Sequence, residues 1–339
     1  MTASIENGEA WAFLVRPGGE TIVGAGPFRA RADPPASGVA FYRNDFDLGA
    51  EKPWLVPARW EAGPAERFAG VFGDAARARW EWSAPEAGPF STVFHEVIAA
   101  IRSGAFEKTV PVAVERGRLA AGDAWTSAAG FLRADPVCYG YGMVDGGGGF
   151  AGMTPEWLLA VQGRTLSTMA LAGTARSEDV EVFEADDKEV REHEFVAQAL
   201  VAKLTDLGRM RRLERRILDL GPLIHFHTPI EVDLAAEADV TEMLARLHPT
   251  PALGPLPRTP ETMTMLGEWR ERLGCPTGFG APFGLWQDGR FEAVVSIRGV
   301  WWSGDEILLP SGCGVIEASR LVNEWRELRL KREAVKAQM

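Results

Sequence analysis

The sequence predicts an α+β fold, because its strand-like and helix-like segments occur in separate runs rather than in regular alternation. Residues 1–70 are rich in glycine, proline and aromatic residues, and their short apolar runs are typical of short strands joined by turns. The C-terminal third again contains strand-like runs. Residues 181–204 lack glycine and proline and place apolar side chains at helical spacing, which predicts a long helix. This order argues against a doubly wound parallel sheet.

The remaining elements follow from the same patterns. A helix is predicted over residues 91–102, where Val93, Val97 and Ile101 share one side. The glycine run at 145–149 lacks a following Gly-Lys-Ser/Thr sequence, so we interpret it as a hairpin turn rather than a phosphate loop. Strands are predicted at 106–114, 137–144, 157–161, 165–170, 230–234, 283–287, 292–297 and 307–310, helices at 240–247 and from 323 onward, and a solvated mixed-charge segment at 209–216.

Composition and charge disfavour several classes of protein. The chain has 339 residues, of which 46% are hydrophobic and 24% charged, as is usual for a globular protein. Its formal net charge of −11 disfavours nucleic acid and anionic membrane surfaces as partners. The three cysteines form neither a metal-binding motif nor a disulfide framework, which fits a reducing compartment. The sequence shows no signal peptide and no apolar run long enough to span a membrane, so we expect a cytoplasmic protein.

Two pairs of glutamates have the same spacing in different parts of the chain. Glu189 and Glu192 are three residues apart on the long predicted helix, and Glu324 and Glu327 repeat this spacing on the last one. Residues three apart share a helix face, where two carboxylates repel each other unless a cation or a proton lies between them. Oxygen ligands from two helices suit Mg²⁺ better than zinc. The spacing alone is equally typical of a solvated helix face, so both interpretations stay open at this point.

Eight short motifs follow one another between about Phe94 and Lys331. They are Phe106–Val110, Thr154–Glu156, Leu171–Thr174, Lys188–His193, Leu247–Ala252, Ile297–Arg298, Gly312–Gly314 and Glu324–Glu327 with Lys331. In this order they resemble the chorismate-utilising enzymes, which include the isochorismate, salicylate, anthranilate and aminodeoxychorismate synthases. A single motif would be weak, but eight in order favour the metal-binding interpretation of both glutamate pairs.

The resemblance also implies the architecture. Members of this family have antiparallel sheets packed as a β-sandwich with helices outside, the aminodeoxychorismate synthase-like fold. Residues 1–90 would then form a strand-rich N-terminal part, and residues 91–339 the chorismate-binding catalytic region, of one structural domain. We expect residues 1–7 to be frayed.

The resemblance implies how substrate and metal are held. A Mg²⁺ ion would be bound by Glu192 and Glu327, with Glu189 and Glu324 helping directly or through water. The metal would bind the ring carboxylate of chorismate and draw charge toward it. Arg298 would pair with the side-chain carboxylate, for which a planar guanidinium is well suited.

The resemblance further assigns the chemistry. Glu156 would protonate the departing 4-hydroxyl group, which requires a raised pKa. Lys108 would be the base that activates water for attack at C2, since members that use ammonia typically have glutamine at this place. His248 would line the pocket beside the leaving hydroxyl. Further contacts to the substrate are implied for Gly173, Thr174, Gly312, Gly314 and Lys331.

These residues predict a Mg²⁺-dependent isochorismate synthase that serves menaquinone or siderophore synthesis, with chorismate as its substrate and without a glutaminase subunit. A salicylate synthase is the nearest alternative, and anthranilate or aminodeoxychorismate synthase is disfavoured by Lys108. A non-catalytic chorismate-binding protein is a further alternative, because several motifs depart from the family pattern. The departures are Val112-Ala113, Cys313, Leu321-Val322 and the segment Phe279–Pro282.

Overall fold

Strands dominate the computed structural model of the protein, which describes residues 8–339. The fraying predicted for residues 1–7 lies outside the described residues. In chain order the strands are β1 (Trp11–Val15), β2 (Glu20–Ala25), β3 (Arg29–Arg31), β4 (Val39–Arg43), β5 (Trp54–Val56), β6 (Arg59–Pro64), β7 (Arg79–Trp82), β8 (Val112–Ala121), β9 (Tyr139–Asp145), β10 (Gly148–Thr154), β11 (Trp157–Gln162), β12 (Thr165–Arg176), β13 (Gly208–Arg212), β14 (Arg216–Asp219), β15 (Leu223–Leu234), β16 (Pro282–Gln287), β17 (Arg290–Val295), β18 (Gly299–Ser303) and β19 (Glu306–Gly312).

The strands form two antiparallel sheets. Sheet 1 has the order β6-β2-β1-β9-β10-β18-β19-β8-β7. Sheet 2 has the order β13-β15-β12-β11-β17-β16-β4-β5-β3, and β14 also pairs with β15. Strands of the N-terminal part enter both sheets, since β1 pairs with β9 and β4 pairs with β16. Residues 8–90 therefore share their hydrogen-bonding ladders with the rest of the chain.

The two sheets pack against each other through large apolar side chains. Phe283 of β16 in sheet 2 contacts Tyr141 and Phe150 of sheet 1, with ring centroids 6.1 and 5.4 Å apart. Leu14 of β1 and Phe41 of β4 belong to the same buried cluster. Successive strand residues point to opposite faces, so buried apolar residues on the other face of a sheet need a second layer to cover them. Helices cover that face of sheet 2, which confirms the predicted α+β sandwich with helices outside.

Six α-helices and three short 3-10 segments complete the described chain. No helix within residues 8–339 is long and apolar enough to cross a membrane. The helices are α1 (Ala87–Arg102), α2 (Val180–Glu184), α3 (Asp187–Leu204), α4 (Val240–Leu247), α5 (Pro260–Arg272) and α6 (Leu321–Lys336), and the 3-10 segments are Ala65–Phe72, Ala124–Gly130 and Ser177–Asp179.

The helix predicted over residues 181–204 is two helices, α2 and α3. The break is at Asp186, whose side chain accepts hydrogen bonds from the backbone N–H groups of Lys188 and Glu189 and so caps α3. The buried face of α3, which includes Leu200, packs against sheet 2. This cap fixes where α3 begins, and therefore which way its first turn directs its carboxylates.

Other boundaries also differ from the prediction. In the segment 106–114, regular strand structure begins only with β8, while Lys108 and Thr109 form isolated bridges. The segment 209–216 is mostly exposed to solvent, as predicted, but much of it is strand, because β13 and the start of β14 pair with β15 at the edge of sheet 2. Helix α5 was not predicted, although Pro260 at its first turn is a usual start signal. The glycine run at 145–149 does form the predicted hairpin, between β9 and β10.

Candidate active site

A cavity lies where β12 and the end of β19 approach α3 and α6. Including its opening to solvent, it measures about 680 Å³. Its lining comes from parts of the chain more than 150 residues apart, which only the fold brings together. The predicted site residues that line it are Glu156, Gly173, Thr174, Glu192, Arg298, Gly312, Gly314, Glu327 and Lys331.

Lys108 lies behind the cavity wall and is completely buried. Its Nζ is 3.2 Å from Glu192 Oε1 and donates a 2.7 Å hydrogen bond to the Pro251 carbonyl. Gly314 packs directly on this pair: a β-carbon at 314 would overlap the Glu192 carboxylate and lie 2.7 Å from Lys108 Cε. The site thus requires glycine at 314 for close approach rather than for backbone flexibility.

The two glutamate pairs come together around one ammonium group, that of Lys188. Its Nζ lies 2.7 Å from Glu189 Oε1, 3.3 Å from Glu192 Oε2 and 3.5 Å from Glu324 Oε1. Glu192 and Glu324 are only 7% and 2% exposed. The interpretation of the pairs as solvated helix faces is therefore wrong.

Burial and mutual repulsion shift the pKa values of these carboxylates. Burial, followed by the charge of Glu192, raises the pKa of Glu189 to about 7. Burial, followed by the charge of Glu327, raises the pKa of Glu324 to about 7. Burial acts in the same direction on Glu192, but nearby lysines, Lys108 first among them, outweigh it and lower its pKa to about 2. The raised values of Glu189 and Glu324 reflect repulsion among neighbouring carboxylates, which a bound cation would relieve.

The donor set fits Mg²⁺ in chemical type. Carboxylate oxygens are the hard ligands that this ion prefers, and the buried Glu324 Oε2 has no hydrogen-bond partner among the described residues. As the side chains stand, no three His, Cys, Asp or Glu residues within 8–339 are grouped closely enough to hold a metal. The Lys188 ammonium lies between three of the four expected ligands and takes the space that such a group would enclose.

Glu156 lies in the short connection between β10 and β11 and is 4% exposed. Its backbone N–H donates a 3.2 Å hydrogen bond to Thr154 Oγ1, which holds the connection in place. Burial raises the pKa of Glu156 to about 7, against the opposing charges of Lys108, Lys331 and Arg298. A carboxyl group with this pKa is still partly protonated near neutral pH and can donate its proton to a leaving group.

Arg298 points into the cavity from a strained backbone position, with φ at 56° in the left-handed region. Its Nη2 donates a 3.0 Å hydrogen bond to His225 Nε2. Within residues 8–339 it has no carboxylate partner at ion-pair distance. A buried guanidinium without a counter-ion is well placed to receive a carboxylate of a ligand.

Sequence reasoning missed His225, which also lines the cavity. Its Nδ1 donates a 2.8 Å hydrogen bond to the Gly173 carbonyl, while Nε2 accepts from Arg298, so the ring is neutral with the proton on Nδ1. Burial, with Arg298 adding to it, lowers the pKa of His225 well below its usual value. The register of β12 against β15 places His225 opposite Thr174. The predicted strand began only at residue 230, so no sequence signal placed His225 near the site.

The motif Leu171–Thr174 lies within β12, with a bulge at Gly173, where φ is 75°. The bulge allows the Thr174 N–H to donate a 2.8 Å hydrogen bond to Glu189 Oε2. The strand is thereby tied to the glutamate cluster. From α6, Lys331 Nζ lies 2.5 Å from Glu327 Oε1 and donates a 2.9 Å hydrogen bond to the Gly312 carbonyl.

The structure does not support the prediction that His248 lines the pocket. Its ring is buried against Phe46, with centroids 5.2 Å apart, and Nε2 lies 2.8 Å from the Phe46 carbonyl oxygen. It is not among the residues that line the cavity. Burial lowers the pKa of His248 to about 3, so the ring is neutral and Nε2 donates this hydrogen bond. His248 thus anchors the segment that carries Pro251, the partner of Lys108.

Residues 75–339 match the family of chorismate binding enzymes, and the chain belongs to this family. It is similar to isochorismate synthase EntC of Escherichia coli (strain K12), with 30% identity over 215 residues, 59% of this chain and 54% of that protein. It is also similar to the salicylate biosynthesis isochorismate synthase of Pseudomonas aeruginosa, with 28% identity over 294 residues, 80% of this chain and 58% of that protein. The chain thus spans a little over half the length of these curated relatives.

Solved structures show the same fold. MenF, the menaquinone-specific isochorismate synthase from Escherichia coli, superposes with a TM-score of 0.80 at 22% identity, covering 97% of this chain and 88% of that one. Anthranilate synthase component I from Streptococcus pneumoniae TIGR4 gives a TM-score of 0.70 at 12% identity, over 98% of this chain and 93% of that one. At these identities the likeness concerns the fold, and it confirms the predicted chorismate-utilising architecture.

Proposed function

We propose that the protein is an isochorismate synthase, which adds water at C2 of chorismate as the 4-hydroxyl group leaves. The observation that carries this proposal is that Glu156, with its pKa of about 7, and Arg298 line one cavity, with Lys108 packed directly behind Gly314 of its wall. The similarity to isochorismate synthases supports it. Isochorismate made in this way would serve menaquinone or siderophore synthesis.

The two catalytic side chains carry out complementary proton transfers. Lys108 would act as the base that takes a proton from the water molecule whose oxygen bonds to C2. Glu156 gives a proton to the C4 oxygen, which leaves as water while the ring double bonds rearrange. The reaction consumes one water molecule and releases one, so it needs no oxidant and no second substrate. Because the nucleophile is water, no glutaminase subunit is required.

Positive groups on the walls position the substrate. Arg298 binds the side-chain carboxylate, with His225 and the Gly173 carbonyl holding the guanidinium in place. Mg²⁺, bound by Glu192 and Glu327 with help from Glu189 and Glu324, would polarise the ring carboxylate when present. Glu192 also pairs with Lys108, so one carboxylate connects the expected metal site to the expected base.

The test is to identify the product formed from chorismate by the purified protein in oxygen-18 water, with Mg²⁺ and with a chelator. We expect isochorismate with label at C2, formed only when Mg²⁺ is present. Salicylate with pyruvate as the main products would instead assign a salicylate synthase, and an aminated product in the presence of ammonium would assign an aminating member of the family. Tight chorismate binding without any product would identify a binding protein and contradict the proposal.

A further inference from the structure

Among residues 8–339, Lys188 is the one cation within ion-pair distance of both glutamate pairs. Its ammonium lies within 3.5 Å of an oxygen of Glu189, Glu192 and Glu324, and so joins α3 to α6. These contacts raise the pKa of Lys188 although burial acts against them. The proposed reaction uses Lys108, and Lys331 is an expected substrate contact, but neither assignment extends to Lys188. Its position among the expected metal ligands therefore needs an explanation.

The three lysines of the site differ in their access to solvent. The side chain of Lys108 is 0% exposed and is held by the Pro251 carbonyl, while that of Lys331 is 14% exposed and is held by the Gly312 carbonyl. The side chain of Lys188 is 22% exposed and lines the outer cleft between α2 and α6. Its hydrogen bonds go to carboxylates alone. Lys188 is thus the ammonium group that can leave the cluster without breaking a backbone contact.

The charges of the cluster make Lys188 and a divalent cation competitors. Three ammonium groups face four carboxylates, so the cluster is close to neutral with Lys188 in place. A second cation in contact with the same oxygen atoms would repel the ammonium at short range, where screening by water is weak. The orphaned Glu324 Oε2 shows that Lys188 does not satisfy every oxygen of the cluster.

We propose that Lys188 is a built-in counter-ion that holds the glutamate cluster together in the metal-free protein and swings into the outer cleft when a divalent cation binds. This inference rests on the proposed function, which supplies the cation. In this arrangement Lys188 is a positioning residue that sets the affinity of the site for Mg²⁺. The protein gains a folded, neutralised site in the absence of metal, at the cost of weaker metal binding.

The test compares Lys188→Met and Lys188→Arg with wild type, using Lys203→Met as the matched control. Lys203 lies on the same helix, and its Nζ has no hydrogen-bond partner among the described residues. Mg²⁺ binding is measured by isothermal titration calorimetry, and thermal unfolding is followed in chelator and in saturating Mg²⁺. For Lys188→Met we expect Mg²⁺ to bind about tenfold tighter or more, because its competitor is gone. The metal-free melting temperature should fall by about 2 °C or more and recover with Mg²⁺.

Lys188→Arg keeps the charge and should bind Mg²⁺ no more tightly than wild type, and Lys203→Met should match wild type in Mg²⁺ affinity. Equal or weaker Mg²⁺ binding by Lys188→Met, beside a wild type that binds Mg²⁺ and turns over chorismate, overturns the inference and leaves the proposed function standing. A wild type that binds no Mg²⁺ and works equally well in chelator contradicts the metal of the proposed function and this inference together.

Discussion

Glu156→Gln tests the role of the acidic proton of Glu156 without changing the size of the side chain, because the amide fills the same space but cannot donate an acidic proton. Burial raises the pKa of Glu156 from 4.5 to about 7. This difference corresponds to about 3 kcal/mol against ionisation in the folded protein. The sign follows from proton binding: between these two values the folded state holds a proton that the unfolded state has lost. The contribution of Glu156 to the unfolding free energy of wild type is therefore fully present below about pH 4.5 and is lost as the pH rises through about 7.

The stability of the variant should lack this dependence. From about pH 5.5 to about pH 8, we expect the unfolding free energy of Glu156→Gln to rise relative to wild type by about 2 kcal/mol. Urea unfolding at both pH values, with chelator present so that metal binding does not contribute, measures this difference. Comparison with wild type cancels the contribution of the other raised carboxyl groups, Glu189 and Glu324. A difference that is the same at both pH values would refute the assignment of a raised pKa to Glu156.

The same variant tests the catalytic role. A general acid typically contributes about 10²–10⁴-fold to the rate, so turnover of chorismate by Glu156→Gln should fall by this factor while chorismate binding is kept. Wild-type turnover should decline above about pH 7, as Glu156 loses its proton. Product chromatography gives the rate, and calorimetry gives the binding. A variant that loses binding but processes bound substrate at the normal rate would show that Glu156 positions the substrate instead.

Four further substitutions test other parts of the site. Glu192→Gln and Glu327→Gln should each lower turnover by about 10²-fold or more, and chelation should do the same reversibly in wild type; full wild-type activity in chelator would contradict the metal assignment. Lys108→Gln should reduce label uptake from oxygen-18 water by orders of magnitude while Mg²⁺-dependent chorismate binding persists, and unchanged water addition would rule out Lys108 as the base. Gly314→Ala should abolish turnover in a folded protein, because its methyl group displaces the Glu192 carboxylate; the control Gly267→Ala, which meets no atom within 4 Å, should stay active.

The chemistry of the site could be predicted from the sequence because it depends on residue types at short spacings. Glutamates three apart share a helix face wherever the helix lies, so the two pairs were visible before the fold was known. The motifs Leu171–Thr174 and Thr154–Glu156 are likewise short segments that can be recognised without knowledge of the fold. Glu156 and Arg298 line the same cavity although they are 142 positions apart in the sequence. Their motifs could be recognised because they follow the order of the family's motifs along the chain, and this recognition required no knowledge of the cavity that they share.

Two assignments failed or were missing because they depend on strand register and loop direction. His225 enters the cavity only because β15 pairs with β12 in one register, in which a shift of one residue would turn its ring to the other face. His248 belongs to a recognisable motif, but the direction of its ring is decided by Phe46, about 200 residues earlier in the chain. Neither contact leaves a periodic pattern in the sequence.

The sequence by itself determined the α+β class, the acidic and globular character, the helical glutamate pairs and the residue types suited to general acid and base chemistry. The tertiary structure decided how these groups pair: Lys108 with Glu192, Arg298 with His225, and Lys188 with three carboxylates from two helices. The physical reason is the distance along the sequence over which each interaction acts. Periodicity and capping act over a few residues and can be seen locally, whereas burial and charge at the site are set by side chains that meet only after the sheets and helices have packed.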